Sequence, residues 1–235
     1  MASGAARFAS VVRTLLGHGR ALAPPRLQAN QRFREVLKAL GPTSVAIDCG
    51  ANVGDVAEPI ARTGARLFCY EPDKEIAQDL RDRLLSYPNA TVVEAAVGIA
   101  PGTARLYKSP LYDQNPRLYS ERNTLRGEAL TRDGDGVWTK VDPHSAYTVE
   151  VVNLIEILEQ LIARHGKIDL LKIDIEGAEV DILEAMERRK LFDPIDFTVV
   201  ETHVRRFPEE QDRTENLIGR IESSFPLSKV NLHWR

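Results

Sequence analysis

The chain has 235 residues, 43% of them hydrophobic and 28% charged, which is enough for one large α/β domain with a substantial core and excludes a disordered or fibrous chain. The net charge of −3 argues against a nucleic-acid partner, because binding phosphates over a whole surface needs a basic field. Cys49 and Cys69 sit inside apolar runs at a spacing unsuited to zinc, so they read as buried thiols in a reducing, cytoplasmic setting. No apolar stretch is long enough to cross a bilayer.

Residues 1–40 form an arginine-rich start. Arg7, Arg13, Arg20, Arg26, Arg32 and Arg34 occur there before any acid, and the pattern predicts an amphipathic helix over Ala6–Leu16 and a linker at Pro24 and Pro25. A transit peptide or a membrane-surface helix are the alternatives. From residue 41 to 235 strands and helices alternate: strand Val45–Asp48, helix Asp55–Thr63 ended by Gly64, strand Leu67–Tyr70, helix Lys74–Ser86, strand Thr91–Val97. That succession implies a doubly wound, Rossmann-like α/β fold with a mostly parallel sheet and helices on both faces.

The rhythm lapses around residues 100–148, an insertion that reads as a functional loop with extended segments at Thr103–Tyr107 and Thr148–Val152. Tyr112, Asn115, Arg117, Tyr119, Arg122, Asn123, Arg126 and His144 in it suit either a carbohydrate or phosphorylated acceptor, or a solvated loop; His144 reads as a plain loop residue. Beyond it come helix Leu154–His165, strand Ile168–Ile173, helix Ala178–Arg189, strand Phe197–Val200, helix Glu210–Ser223 and a last strand within Ser228–His233.

The first strand runs through Asp48 into a turn containing Gly50, Asn52 and Gly54. Such a turn sets backbone N–H groups against a ligand at the strand's carboxyl end, with glycine where a Cβ would block the ligand or the turn. Asp48 would oppose a pyrophosphate but favour the cationic sulfonium and amino group of S-adenosylmethionine. Asn52 also departs from the dinucleotide glycine pattern, so nicotinamide chemistry ranks second. Glu71 closes the second strand about twenty residues on, where an acid can hold both ribose hydroxyls, and Glu94 is a weaker candidate beside the adenine.

Lys172, Asp174, Glu176 and Glu179 crowd charges at and after the end of a buried strand. A helix dipole accounts for Glu176 and Glu179, but poorly for Lys172 and Asp174. With Ile47–Gly54, Tyr70–Asp73, Leu171–Glu179 and Glu201–His203, the chain from about Ser44 to His203 resembles the FkbM family of methyltransferases. The resemblance implies methyl transfer from S-adenosylmethionine to a hydroxyl of a sugar, a glycolipid head or a polyketide-derived product. His203 or Asp174 would then be the general base, with Lys172 and Glu176 orienting the site. A divalent ion on Asp174, Glu201 and His203 is the less favoured alternative. The Asn/Asp-Pro-Pro-aromatic motif of amino-group methylation is absent, since Asp174, Ile175, Glu176 and Gly177 stand there. A catalytically silent S-adenosylmethionine-binding module remains the competing class.

Overall fold

The computed structural model describes residues 23–132 and 136–234; the helix expected over Ala6–Leu16 lies outside them. Pro25, expected in a linker, instead takes the first turn of helix α1 (Pro25–Ala39), where its missing N–H costs nothing. Then follow β1 (Val45–Cys49), α2 (Ala57–Ala61), β2 (Arg66–Tyr70), α3 (Lys74–Leu84) and β3 (Ala90–Val93). Asp73 caps α3 by accepting from the Glu75 and Ile76 amides at 3.0 and 3.3 Å.

The single strand expected over Thr91–Val97 is two. The chain bends where the Ala95 amide donates to the Val93 carbonyl, and β4 (Ala96–Gly98) leaves the main sheet. The extended segments expected in the insertion are present, and the stretch between them adds a hairpin. Strand β5 (Gly102–Tyr107) pairs antiparallel with β8 (Ala146–Asn153), β8 also pairs parallel with β4, and β6 (Leu130–Arg132) forms a hairpin with β7 (Trp138–Lys140). A one-turn helix, α4 (Pro116–Tyr119), lies between β5 and β6.

The second half adds α5 (Leu154–His165), β9 (Leu170–Ile173), α6 (Glu179–Arg188), β10 (Thr198–Val200), α7 (Gln211–Ser224) and β11 (Val230–Asn231). Asn153 caps α5, and Gly166 ends it with φ +85°. The main sheet has the order β11-β10-β9-β1-β2-β3, all parallel. Such strands are buried on both faces and read as continuous apolar runs.

Alternation along β1 splits the core. Val45, Ile47 and Cys49 pack with Leu154, Leu158, Ile182, Met186 and Ile221 from α5, α6 and α7. Ala46 packs with Ala29, Val36, Ile60, Leu67 and Leu80 on the face of α1, α2 and α3. Successive strands build outward on one side of β1 and then, after the insertion, on the other. The switch point therefore falls between β1 and β9, where a crevice opens at the strands' carboxyl ends. Among the described residues no helix is long and apolar enough to cross a membrane.

Candidate active site

A cleft of about 740 Å³ occupies that switch point, a size suited to a small organic ligand. Beneath it, β1 and β9 set Asp48 opposite Lys172 in register. The Lys172 ammonium is 3.1 Å from Asp48 and 3.5 Å from Asp174, and it donates to the Gly50 carbonyl at 2.7 Å. Asp48 is fully buried and Lys172 is 2% exposed. Lys172 and Asp174 reach the cleft; Asp48 lies below its lining. Asp48 thus counters the lysine from beneath, while the carboxylate presented to a ligand is that of Asp174.

The glycine turn works differently from its sequence reading. Gly50 has φ +74°, and a Cβ there would come 1.8 Å from the Asp174 carbonyl oxygen; one at Gly54 would strike Leu80 of α3 at 2.8 Å. These glycines admit neighbouring protein segments, and Gly50 also lines the cleft. The turn amides are committed internally. Those of Gly50 and Ala51 donate to the Tyr70 carbonyl, that of Asn52 to Glu71, that of Val53 to the Asn52 side chain and that of Gly54 to the Ala51 carbonyl. A pyrophosphate would find these donors taken. A phosphate-free ligand with hydroxyl and amino donors fits.

Glu71 is the principal acceptor at this end. Its carboxylate bridges the two turns, accepting from the amides of Asn52 and Asp73, both at 2.9 Å. Burial raises its pKa to about 7, against the lowering effect of those two hydrogen bonds. Tyr70, Pro72, Ala95, Ala96 and Val97 continue the lining. Glu94, the expected adenine partner, does not line the cleft and pairs instead with Arg81 at 2.7 Å. The bend at Ala95 ends the strand alternation that would have aimed it inward.

Past β9 the chain makes a strained turn, with φ +60° at Glu176 and +128° at Gly177. The side chain of Glu179, 2% exposed, folds back to accept from the amides of Ile175 (3.1 Å) and Gly177 (2.9 Å). It also holds His203 Nδ1 at 2.9 Å. This aims Nε2 into the cleft, 3.2 Å from Glu176, 3.7 Å from Asp174 and 3.8 Å from Glu201. Burial disfavours charge on the imidazole, but the Glu179 and Glu176 carboxylates outweigh it and hold the pKa well above the ordinary value. Asp174, Glu176 and His203 each bring one ligand atom within 4.8 Å of the others, a set that could hold a divalent ion; the sequence had suggested Glu201 in place of Glu176.

The structure thus gathers Lys172, Asp174, Glu176, His203, Gly50, Asn52 and Glu71 around one cleft, with Asp48 and Gly54 behind it and Glu94 outside. Of the insertion residues singled out in sequence, only Arg122 and Asn123 line it. Arg117 pairs with Asp79 and Arg126 with Glu210, Tyr112 is buried and Asn115 caps α4. Tyr119 and His144 stand off the cleft. Two organising residues escaped sequence reading. Glu179 read only as a helix-dipole acid, and Arg206 carried no signal. The buried Arg206 guanidinium binds the Glu176 carboxylate and donates to the carbonyls of Leu130 (2.8 Å) and Arg122 (3.1 Å).

An all-parallel sheet with its switch point at β1/β9, an acid closing β2 and a turn whose amides are already taken define a Rossmann-like domain with a cleft suited to a phosphate-free ligand. A profile of the "Methyltransferase FkbM domain" matches residues 48–227, and the chain belongs to that family; its cofactor is S-adenosylmethionine. A ribosomal RNA small subunit methyltransferase A from Thermotoga petrophila is 41% identical over 58 residues, 24% of this chain and 22% of that protein. The chain therefore spans about a fifth of that relative's length. The hexuronic acid methyltransferase AglP of Haloferax volcanii is 23% identical over 85% of this chain and 71% of its own. The methyltransferase sdnD of Sordaria araneosa is 27% identical, with 60% of each chain covered.

Proposed function

We propose that the protein is an O-methyltransferase acting on a hydroxyl of a sugar or a related metabolite. The observation that carries the reading is Asp174, a carboxylate at the end of β9 that lines the cleft between the Lys172 ammonium and the His203 imidazole. S-adenosylmethionine supplies an electrophilic methyl group for in-line displacement by the acceptor oxygen. The protein must hold that oxygen in line and receive its proton, because an alcohol is a poor nucleophile at neutral pH.

Sequence offered two bases, His203 and Asp174, and the electrostatics favour the second. An imidazole kept protonated by Glu179 and Glu176 has no lone pair for the acceptor's proton. Asp174 takes the proton, and His203 donates from Nε2 to orient the carboxylates around it. Lys172 fixes Asp174 from below, and Glu176 is held by Arg206. Glu71 accepts from the ribose hydroxyls of the methyl donor. Arg206 already occupies the Glu176 carboxylate, which leaves that group less free for a divalent ion. The similarity to AglP supports a carbohydrate acceptor.

Replacing Asp174 by Asn should cut turnover by about 10²–10⁴-fold while leaving the calorimetric affinity for S-adenosylhomocysteine nearly unchanged. Glu71→Ala should lose that affinity, and NAD should not bind. Near wild-type turnover in Asp174→Asn would remove Asp174 from the chemistry.

A further inference from the structure

Four arginines line the cleft, and they arrive from separate parts of the chain: Arg122 and Arg132 from the insertion, Arg205 and Arg206 from the turn after β10. Arg206 is what brings them together. Its guanidinium donates to the carbonyl of Arg122 itself and to that of Leu130, two residues before Arg132, and Arg205 is its chain neighbour. Its own charge is met by Glu176.

The other three have no carboxylate partner among the described residues. Arg81, Arg83, Arg117, Arg126 and Arg213 are each met by an acid, and arginines that are not, such as Arg105 and Arg164, stand away from the cleft. Arg132 lies over the Trp138 ring, 4.9 Å from its centroid, and Trp138 is 40% exposed on the cleft. Guanidinium groups on the wall of one cleft with no carboxylate partner among the described residues favour an anionic ligand there. Carboxylate and phosphate are the groups a guanidinium fork matches best. An aromatic face beside the forks suits the apolar face of a sugar ring.

We infer that the methyl acceptor is an acidic sugar, whose carboxylate or phosphate is held by Arg122, Arg132 and Arg205 while its ring packs on Trp138. The inference rests on the O-methyltransferase reading for what happens to the bound sugar, but not for the binding itself. Arg206 is a positioning residue in this scheme: it assembles the cationic wall without touching the ligand.

The test is equilibrium binding of hexuronates, hexose phosphates and the matching neutral hexoses to the full chain saturated with S-adenosylhomocysteine, so that the donor's own carboxylate is already housed. At least one acidic sugar should bind about tenfold or more tightly than its neutral counterpart. That preference should fall about tenfold in Arg205→Ala and in Arg122→Ala, and survive in part in Arg205→Lys. Which acid wins, uronate or phosphate, identifies the anion. Equal binding of acidic and neutral sugars, or binding of neither, overturns the inference. So does a loss of S-adenosylhomocysteine affinity in both alanine variants with the sugar preference intact, which would assign the arginines to the donor's carboxylate. A retained acid preference without methyl transfer would instead defeat the O-methyltransferase reading and leave the anion site standing.

Discussion

Replacing Lys172 by Met tests whether the buried charges under the cleft are a scaffold or part of the chemistry. At an effective dielectric of ~20, unit charges 3.1 Å apart attract by about 5 kcal/mol, and the 3.5 Å contact with Asp174 adds a similar amount. Desolvating the three ions returns several kcal/mol each, so the triplet's net worth is far smaller than that sum. Removing one partner is different, because it takes the ammonium away from a fully buried carboxylate. Breaking a buried ion pair in this way costs roughly 3–5 kcal/mol. For a chain of this size that corresponds to a fall in Tm of roughly 6–20 °C. Asp48→Asn should cost less, since Lys172 keeps Asp174, and the double variant should recover part of the loss with a coupling of about 2 kcal/mol. Urea unfolding of the four proteins at pH 7 measures it. Additive single losses, or a Tm drop under about 3 °C in Lys172→Met, would refute the scaffold. A tenfold loss of S-adenosylhomocysteine affinity in a stable Asp48→Asn would restore the direct role for Asp48 that the sequence suggested.

Three further expectations follow from the same geometry. Glu71 has a folded pKa raised to about 7 from 4.5, so its protonated form stabilises the fold below pH 4.5, and that contribution is lost as pH rises through 7. Glu71→Gln should therefore raise Tm at pH 8 relative to wild type while weakening S-adenosylhomocysteine binding; an unchanged Tm would contradict the burial argument. Gly177→Ala places a Cβ 2.2 Å from Phe207 at φ +128°, and should cost about 2–4 kcal/mol in chemical denaturation. Arg206→Met should loosen residues 120–132, read as faster hydrogen exchange there, and lower kcat/KM through acceptor KM more than through donor affinity. Unchanged exchange would show that the insertion docks without it.

What was legible in the sequence is what local patterning dictates. β1 announced itself by an apolar run closing in Asp48, and the helix expected over Leu154–His165 is α5, which the structure shows capped by Asn153 and ended by Gly166. What was not legible depends on pairings between distant residues. Nothing near Gly102–Tyr107 states that it pairs across some forty residues with Ala146–Asn153. Glu94 was placed beside the adenine as part of one strand over Thr91–Val97, which in the structure is broken by a bend at Ala95. Gly50 and Gly54 were recognised as positions where a Cβ would block the ligand or the turn, but not which neighbours make it so. The atoms that exclude a Cβ belong to Asp174, Leu80 and Arg83, three segments that only the folded sheet brings together. Glu179 gives the same lesson: its place at a helix start was read correctly, yet its work is to brace the preceding turn and the ring of His203.

The two ends of the cleft divide the electrostatic work. Asp174, Glu176 and Glu201 stand at the strand ends, which suits a donor that arrives with a cationic sulfonium and leaves neutral. The guanidinium groups without a carboxylate partner among the described residues stand on the insertion and on the turn after β10. Glu176 sits between the two sets, within 3.2 Å of the His203 imidazole and bonded to Arg206. Its carbonyl accepts from Thr124 of the insertion at 2.5 Å, so the strained turn after β9 is clasped from the acceptor side by side chain and backbone alike. Displacing the insertion must therefore disturb the carboxylates around His203 as well as the arginines. On the proposed mechanism, acceptor binding and proton removal are coupled through this one residue, and Arg206→Met should then change kcat along with acceptor KM rather than acceptor KM alone.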